Sequence, residues 1–223
     1  KLRLPRFRRL SVAGVSTARL LRTGGVAAMT FGQSVVGVAP SLLLQQRRAA
    51  AAAAAPANGA CGQSMDLALV IADESLHGKA DPAFAAHLGP IGAWAQAVWE
   101  QWMPSRGLTK LVATAKARLA RAKSAWSCVY GPAAAFVATA ERLGWTVLDA
   151  HCLTTDAGRA LRLDLDPPVV VARECEAAVR RWRWRSVEKA FPSLDSRGAG
   201  HGPNFAPVLA LLRPAPDKLH WTA

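Results

Sequence analysis

Acidic residues are missing where a basic chain would need them. No Asp or Glu precedes Asp66, while Lys1, Arg3, Arg6, Arg8, Arg9, Arg19, Arg22, Arg47 and Arg48 all do. A second acid-free stretch runs between Glu100 and Glu141. With a formal net charge of +13, these gaps argue against a surface neutralised by local salt bridges and point to a polyanionic partner, most commonly nucleic acid. An Arg-rich, acid-free N-terminus that carries Ser and Thr also fits an organellar transit peptide, so an organelle-targeted protein is a rival expectation. Cysteine is scarce. Cys61, Cys128, Cys152 and Cys175 show no C-x-x-C spacing, which disfavours a disulfide framework and predicts thiols in a reducing compartment. No uninterrupted apolar run reaches bilayer length, so no membrane partner is expected. An initial Met is also lacking, and the chain reads as a fragment or processed piece.

Catalytic signatures are equally sparse. There is no G-x-x-x-x-G-K-[ST], no G-x-G-x-x-G and no G-x-S-x-G. His151-Cys152 has no companion pair at metal-ligand spacing, which disfavours zinc. Asp164 and Asp166 could be imagined as a metal-binding pair, but Asp164 is expected to face solvent from a strand and Asp166 to cap the next helix. No active site and no resident cofactor are expected within this chain.

What is present is helical periodicity. A weak point at Gly24-Gly25 interrupts a pattern running from Ser16 to Met29, and a helix from Ser41 continues through the alanine run 49–55. Asp66–Ala72 is an ambiguous apolar run, read as a short helix. Asp81-Pro82 signals a helix start, followed by a stripe of Phe84, Leu88, Ile91, Ala95, Val98, Trp99 and Trp102 expected in the core. Gly89-Pro90 is expected to divide that stripe. A helix over 106–124 buries Leu108, Leu111, Val112, Ala115, Leu119 and Ala122, with Lys110, Arg118 and Arg121 on its far side and Lys116 and Lys123 flanking the stripe. Tyr130-Gly131-Pro132 starts a further helix ending near Leu143-Gly144. Strands at Trp145–Leu148 and Leu161–Leu165, joined through the turn residues Thr155–Gly158, predict a hairpin.

The last long helix, from Pro167 to about Ala190, carries Val179-Arg180-Arg181-Trp182-Arg183-Trp184-Arg185. Val171, Cys175, Ala178, Val179 and Trp182 share one face, so Trp182 is expected inward and Trp184 and Arg180 outward. Arginines and an outward tryptophan can hold phosphates and stack on a base. The plainer alternative is that both tryptophans pack and the arginines serve solubility. Beyond Pro192 the composition shifts to Ser, Gly and Pro, with a flexible loop expected at Gly198–Pro203 and a short helix at Pro207–Leu212. The expected fold is mainly α with a small α+β unit, in segments 1–56, 57–127, 128–192 and 193–223, the third a helix–β-hairpin–helix and the last a flexible, truncated tail.

Met29-Thr30-Phe31-Gly32, Val36 and Leu42-Leu43-Leu44-Gln45-Gln46-Arg47-Arg48 resemble the region after the palm of LINE-type (non-LTR) retroelement reverse transcriptases, where an L-x-x-x-Q-x-x-x-L/R helix opens the thumb. Asp81-Pro82-Ala83-Phe84-Ala85-Ala86-His87, Val129-Tyr130-Gly131-Pro132-Ala133, Leu143-Gly144-Trp145, Leu153-Thr154-Thr155-Asp156 and Arg180–Arg185 are similar to the same region of protist polyproteins. The resemblance implies a helical, thumb-like bundle and connector that grips RNA template or RNA–DNA hybrid beside an upstream palm. The paired aspartates that hold Mg in such a palm have no counterpart here. It further implies a nuclear protein with a cytoplasmic ribonucleoprotein stage, mitochondria or plastids being the alternative. The expected phosphate contacts are Arg180, Arg181, Arg183, Arg185, Lys110, Arg118, Arg121, Arg47 and Arg48, with Trp184 stacking on a base. A degenerate relic whose helices merely pack is the structural rival.

Overall fold

The computed structural model describes residues 17–54, 65–76 and 80–190, together with Arg6, Arg9, Leu10, Ala13 and Val15. The expectations for the 193–223 tail, its loop and its short helix lie outside the described residues, as does Cys61. The fold is mainly α with a small α+β unit.

The weak point at Gly24-Gly25 becomes a wide π-helical turn, Leu21–Gly25, between α1 (Thr17–Leu20) and α2 (Val26–Thr30). Gly32, at φ +75°, turns the chain into α3 (Gln33–Val36). Helix α4 (Pro40–Ala54) starts one residue before Ser41, at Pro40, where a missing N–H costs nothing. Its alanines Ala50, Ala51 and Ala53 are buried in a small cluster with Leu69 and Ala72 of α5 (Met65–Leu76).

Helix α6 (Pro82–Trp99) opens as expected: the Asp81 carboxylate accepts the Ala83 N–H at 2.8 Å. The expected break at Gly89-Pro90 does not occur, and Pro90 lies buried inside one continuous helix. A proline there forfeits a ladder bond, at a cost of about 3 kcal/mol. Burial of Ile91, Trp94, Ala95 and Val98 beyond it offsets that cost, because α6 is the central helix against which α3 and two later helices pack. Gly89 permits the approach of α3, since a Cβ there would stand 3.3 Å from Ser34 Cα. The stripe ends sooner than expected. Gln101 takes φ +54°, and Trp99 and Trp102 are exposed instead of entering the core.

Helix α7 (Ser105–Arg121) and a 3-10 turn (Ala125–Cys128) lead to α8 (Pro132–Leu143), which Gly144 terminates at φ +84°. Leu108, Val112, Ala115 and Leu119 of α7 are buried as the spacing predicts, but Leu111 is exposed at the edge of the face. Three strands follow, β1 (Thr146–Val147), β2 (Cys152–Thr154) and β3 (Ala160–Arg162), antiparallel in that order. The expected hairpin is thereby corrected, because β2 lies between its two strands and pairs with both. Asp149 is the cause: its Oδ1 accepts from the backbone N–H of His151 (2.7 Å) and Cys152 (2.8 Å) and reverses the chain early. The Thr155–Gly158 turn then joins β2 to β3. Val147, Leu153 and Leu161 align across the sheet and are buried, while Leu165 lies past the strand end and is exposed.

Helix α9 (Pro168–Ala190) closes the fold. Asp166 does not cap it; its Oδ2 accepts from the Arg162 N–H instead. Val171, Cys175, Ala178 and Val179 are wholly buried, and α9 packs mainly on α6. One core draws on residues from Val38 to Val179, so the segments 57–127 and 128–192 share an interior.

Candidate nucleic-acid interface

The structure divides the nine predicted phosphate contacts into two groups. Arg47 and Arg183 are withdrawn from solvent, each with a side chain only 4% exposed. Arg47 Nε donates to Asp81 Oδ1 at 3.0 Å, and its Nη2 reaches Asp81 Oδ2 at 2.8 Å and Asp66 Oδ1 at 2.7 Å. Arg183 Nη1 donates to Asp73 Oδ2 and lies 3.4 Å from Asp81 Oδ2. Asp73 Oδ1 in turn accepts the backbone N–H of Ala80 and Asp81. These five side chains tie α4, α5, α6 and α9 together. They are cations matched by carboxylates from distant sequence, and neither arginine can meet a phosphate.

Arg181 and Trp184 of the Arg-Trp motif are corrected as well, while Arg185 stays exposed. Arg181 makes a two-pronged bond to Asp156, at 2.9 Å and 2.7 Å, and Arg185 Nη2 lies 3.8 Å from the same carboxylate. Trp184 is 7% exposed, so it offers no face to a base. The outward reading fails because α9 is flanked by α5 as well as α6, which covers what a lone amphipathic helix would leave open. Trp182 is half-buried, with the Arg47 guanidinium 5.1 Å from its ring and the His87 ring 5.3 Å away. On α9 Arg180 is exposed, with its guanidinium 5.8 Å from the Phe84 ring.

Burial sets the protonation of this interior. It raises Asp73 to about 6, with Arg183 opposing and Asp81 adding to the rise. Burial alone would also raise Asp81, but Arg47 and Arg183 hold it below the usual carboxylate range. Burial, with the neighbouring Arg142 charge, pushes His87 down to about 3. Its Nδ1–H donates to the Ala83 carbonyl at 2.6 Å, and its Nε2 accepts from Arg142 Nε–H at 2.9 Å. His87 is therefore a neutral structural group at physiological pH.

Helix α7 is different. Arg106, Lys110, Arg118 and Arg121 are all exposed, and among the described residues no carboxylate lies within ion-pair distance of them. At about 100° per residue they fall within an arc of about 120°, opposite the buried arc of Leu108, Val112, Ala115 and Leu119. The row is about 22 Å long. Lys116, on the flank, instead donates to the backbone carbonyls of Val147 and Leu148. Arg106 was missed in the sequence, although the acid-free stretch around it was the available signal. Arg48 is exposed on α4, and its neighbour Arg47 faces the interior. Helix α7 packs mainly on α8 and the 3-10 turn, and α9 mainly on α6, so the two basic helices do not form one packed pair.

A groove of about 510 Å³ runs beside the α7 row, lined by Met103, Leu111, Tyr130 and Ala133 and rimmed by Lys110 and Arg118. A larger cleft, about 830 Å³, opens at the other side of the α7 N-terminus. There Ser105 Oγ is 2.7 Å from His151 Nε2, a juxtaposition sequence reading did not find. His151 Nδ1 is buried and, among the described residues, unpartnered, so none of them orients the ring as the third member of a Ser-His-Asp arrangement would. Asp149, Asp164 and Arg162 line this cleft, and because Arg162 is paired with Asp164 it leaves no free cation for a phosphate there among the described residues. Among the described residues no three His, Cys, Asp or Glu side chains are grouped to hold a metal. Among them, too, no helix is long and apolar enough to cross a membrane. No family model, curated protein or solved structure matches the chain.

Proposed function

We propose that this chain is the non-catalytic, nucleic-acid-gripping part of a LINE-type reverse transcriptase, holding RNA template or RNA–DNA hybrid along α7. The observation that carries the reading is the row Arg106, Lys110, Arg118 and Arg121, exposed and without acidic partners among the described residues. A solvated helix normally interleaves signs. A row about 22 Å long spans about six phosphates of one strand at about 3.4 Å each. Exposed Arg48, Arg180 and Arg185 add to the field without belonging to the row itself. The partner palm, with its Mg, belongs to the rest of such a polyprotein, and the setting is a nuclear particle with a cytoplasmic stage.

The buried ion network favours the structural reading for Arg183, and the bond to Asp156 does so for Arg181, which leaves the α7 row as the main binding surface. Leu21, Leu43 and Arg47 are buried, which supports reading 17–54 as part of the folded unit. The test is fluorescence anisotropy of the full chain with an RNA–DNA hybrid across a salt series. Replacing Lys110, Arg118 and Arg121 with Gln lowers the log–log salt slope by about 0.7–0.9 for each phosphate that the variant no longer neutralises. Unchanged affinity and slope in the triple variant would remove α7 from the interface.

A further inference from the structure

The groove beside the basic row has the composition of a base-stacking site, and this inference rests on the interface proposed above. Tyr130 is 71% exposed at the groove, on the turn that leads into α8. Gly131, at φ +81°, fixes that turn, so the ring is presented from a set backbone position rather than from a free chain end. Met103 and Leu111 supply apolar wall, Leu111 being the leucine of the α7 stripe left in solvent. Met103 lies across Gly107, where an added Cβ would meet its Sδ at 2.9 Å, so a side chain at 107 would displace that wall. Lys110 and Arg118 stand on the rim, and among the described residues no acid lines the groove. At about 510 Å³ the groove falls within the range of about 300–1,000 Å³ typical of small-ligand sites.

We infer that the groove takes an unpaired nucleotide of the template, its base stacked on Tyr130 against Met103 and Leu111, its flanking phosphates on Lys110 and Arg118. A paired base is already stacked within its duplex and cannot enter. The surface therefore discriminates a hybrid that carries a single-stranded template overhang from one with blunt ends. Every base has a π-face, so the site is indifferent to sequence. The neighbouring cleft is the poorer match, because its one cation among the described residues, Arg162, is already paired with Asp164 and Asp149 adds a further negative charge.

The test compares the full chain on three ligands: a blunt RNA–DNA hybrid, the same hybrid with an RNA overhang, and that overhang made abasic. One stacked base is expected to tighten binding of the overhang by roughly 5- to 150-fold over the blunt hybrid. Tyr130→Ala removes that gain and leaves blunt binding unchanged, Tyr130→Phe keeps most of it, and the abasic overhang loses it. Tyr130 is exposed, so neither substitution threatens the fold. Equal, salt-dependent binding of blunt and overhang hybrids that ignores Tyr130→Ala overturns the groove and leaves the α7 interface standing. Failure of every ligand to bind overturns both.

Discussion

Asp81 is the carboxylate on which four helices converge, and its removal is the sharpest test of the account of the interior. It is fully buried, caps α6 and accepts from Arg47 and Arg183. Asp81→Asn keeps the cap, since Asn and Asp are about equal at that position, but removes the charge. Two buried guanidinium groups then share Asp66 and Asp73, one negative charge fewer than before. Breaking a buried pair from one side costs about 3–5 kcal/mol, because the partner's desolvation is no longer offset. For a chain of this size that is a fall in Tm of about 6–20 °C. Asp81→Ala also loses the cap and falls by about a further 1 kcal/mol. Urea unfolding followed by tryptophan fluorescence and circular dichroism measures both, with exposed Arg180→Ala as a control expected within about 0.5 kcal/mol of the parent. A loss under about 1 kcal/mol for Asp81→Ala would refute the reasoning, because the arginines would then be satisfied by water and the network would not be what joins the helices.

Asp73, raised to about 6 from 3.8, makes the parent less stable as pH rises from about 4 to about 6, since the folded state there binds more protons than the unfolded one. At about 1.36 kcal/mol per unit the stability of Asp73→Asn relative to the parent should improve over that window by about 3 kcal/mol, and a pH-independent difference in urea midpoints would contradict it. Arg183→Gln should lower stability and leave the salt slope of hybrid binding intact, whereas Arg118→Gln should do the reverse; anisotropy and urea curves on the same preparations check both. Gly144→Ala, at φ +84°, should cost about 1–2 kcal/mol by thermal unfolding without affecting binding.

Most of the helices were legible because their signals are local. Asp81-Pro82, Pro132 with Gly144, and the Val171–Cys175–Val179 spacing each act within a few residues. Misreadings arose where a distant neighbour decided the outcome. Pro90 should break a helix, but α6 is buried on several sides and holds its course. Cys152–Thr154 is too short for its alternation to register, and the Asp149 turn that creates β2 depends on one side chain accepting two backbone N–H groups. Trp99 and Trp102 continued a periodic stripe, yet the helix stopped beneath them.

The site was misread for a more general reason. The charges that decide the fate of a cation are those near it in space, and for α9 these come from distant parts of the chain. Arg183 meets Asp73 and Asp81 from α5 and the α6 cap, about a hundred residues away, and Arg181 meets Asp156 from the turn after β2. A helix wedged among several elements samples all their side chains, and a buried guanidinium persists only where carboxylates reach it. Helix α7 lies at the margin, and the stretch it packs on, up to Glu141, carries no acid. For α7 alone, sequence neighbourhood and spatial neighbourhood coincide. That coincidence is why its cations remain available to a phosphate when Arg181 and Arg183 of the more conspicuous Arg-Trp motif do not.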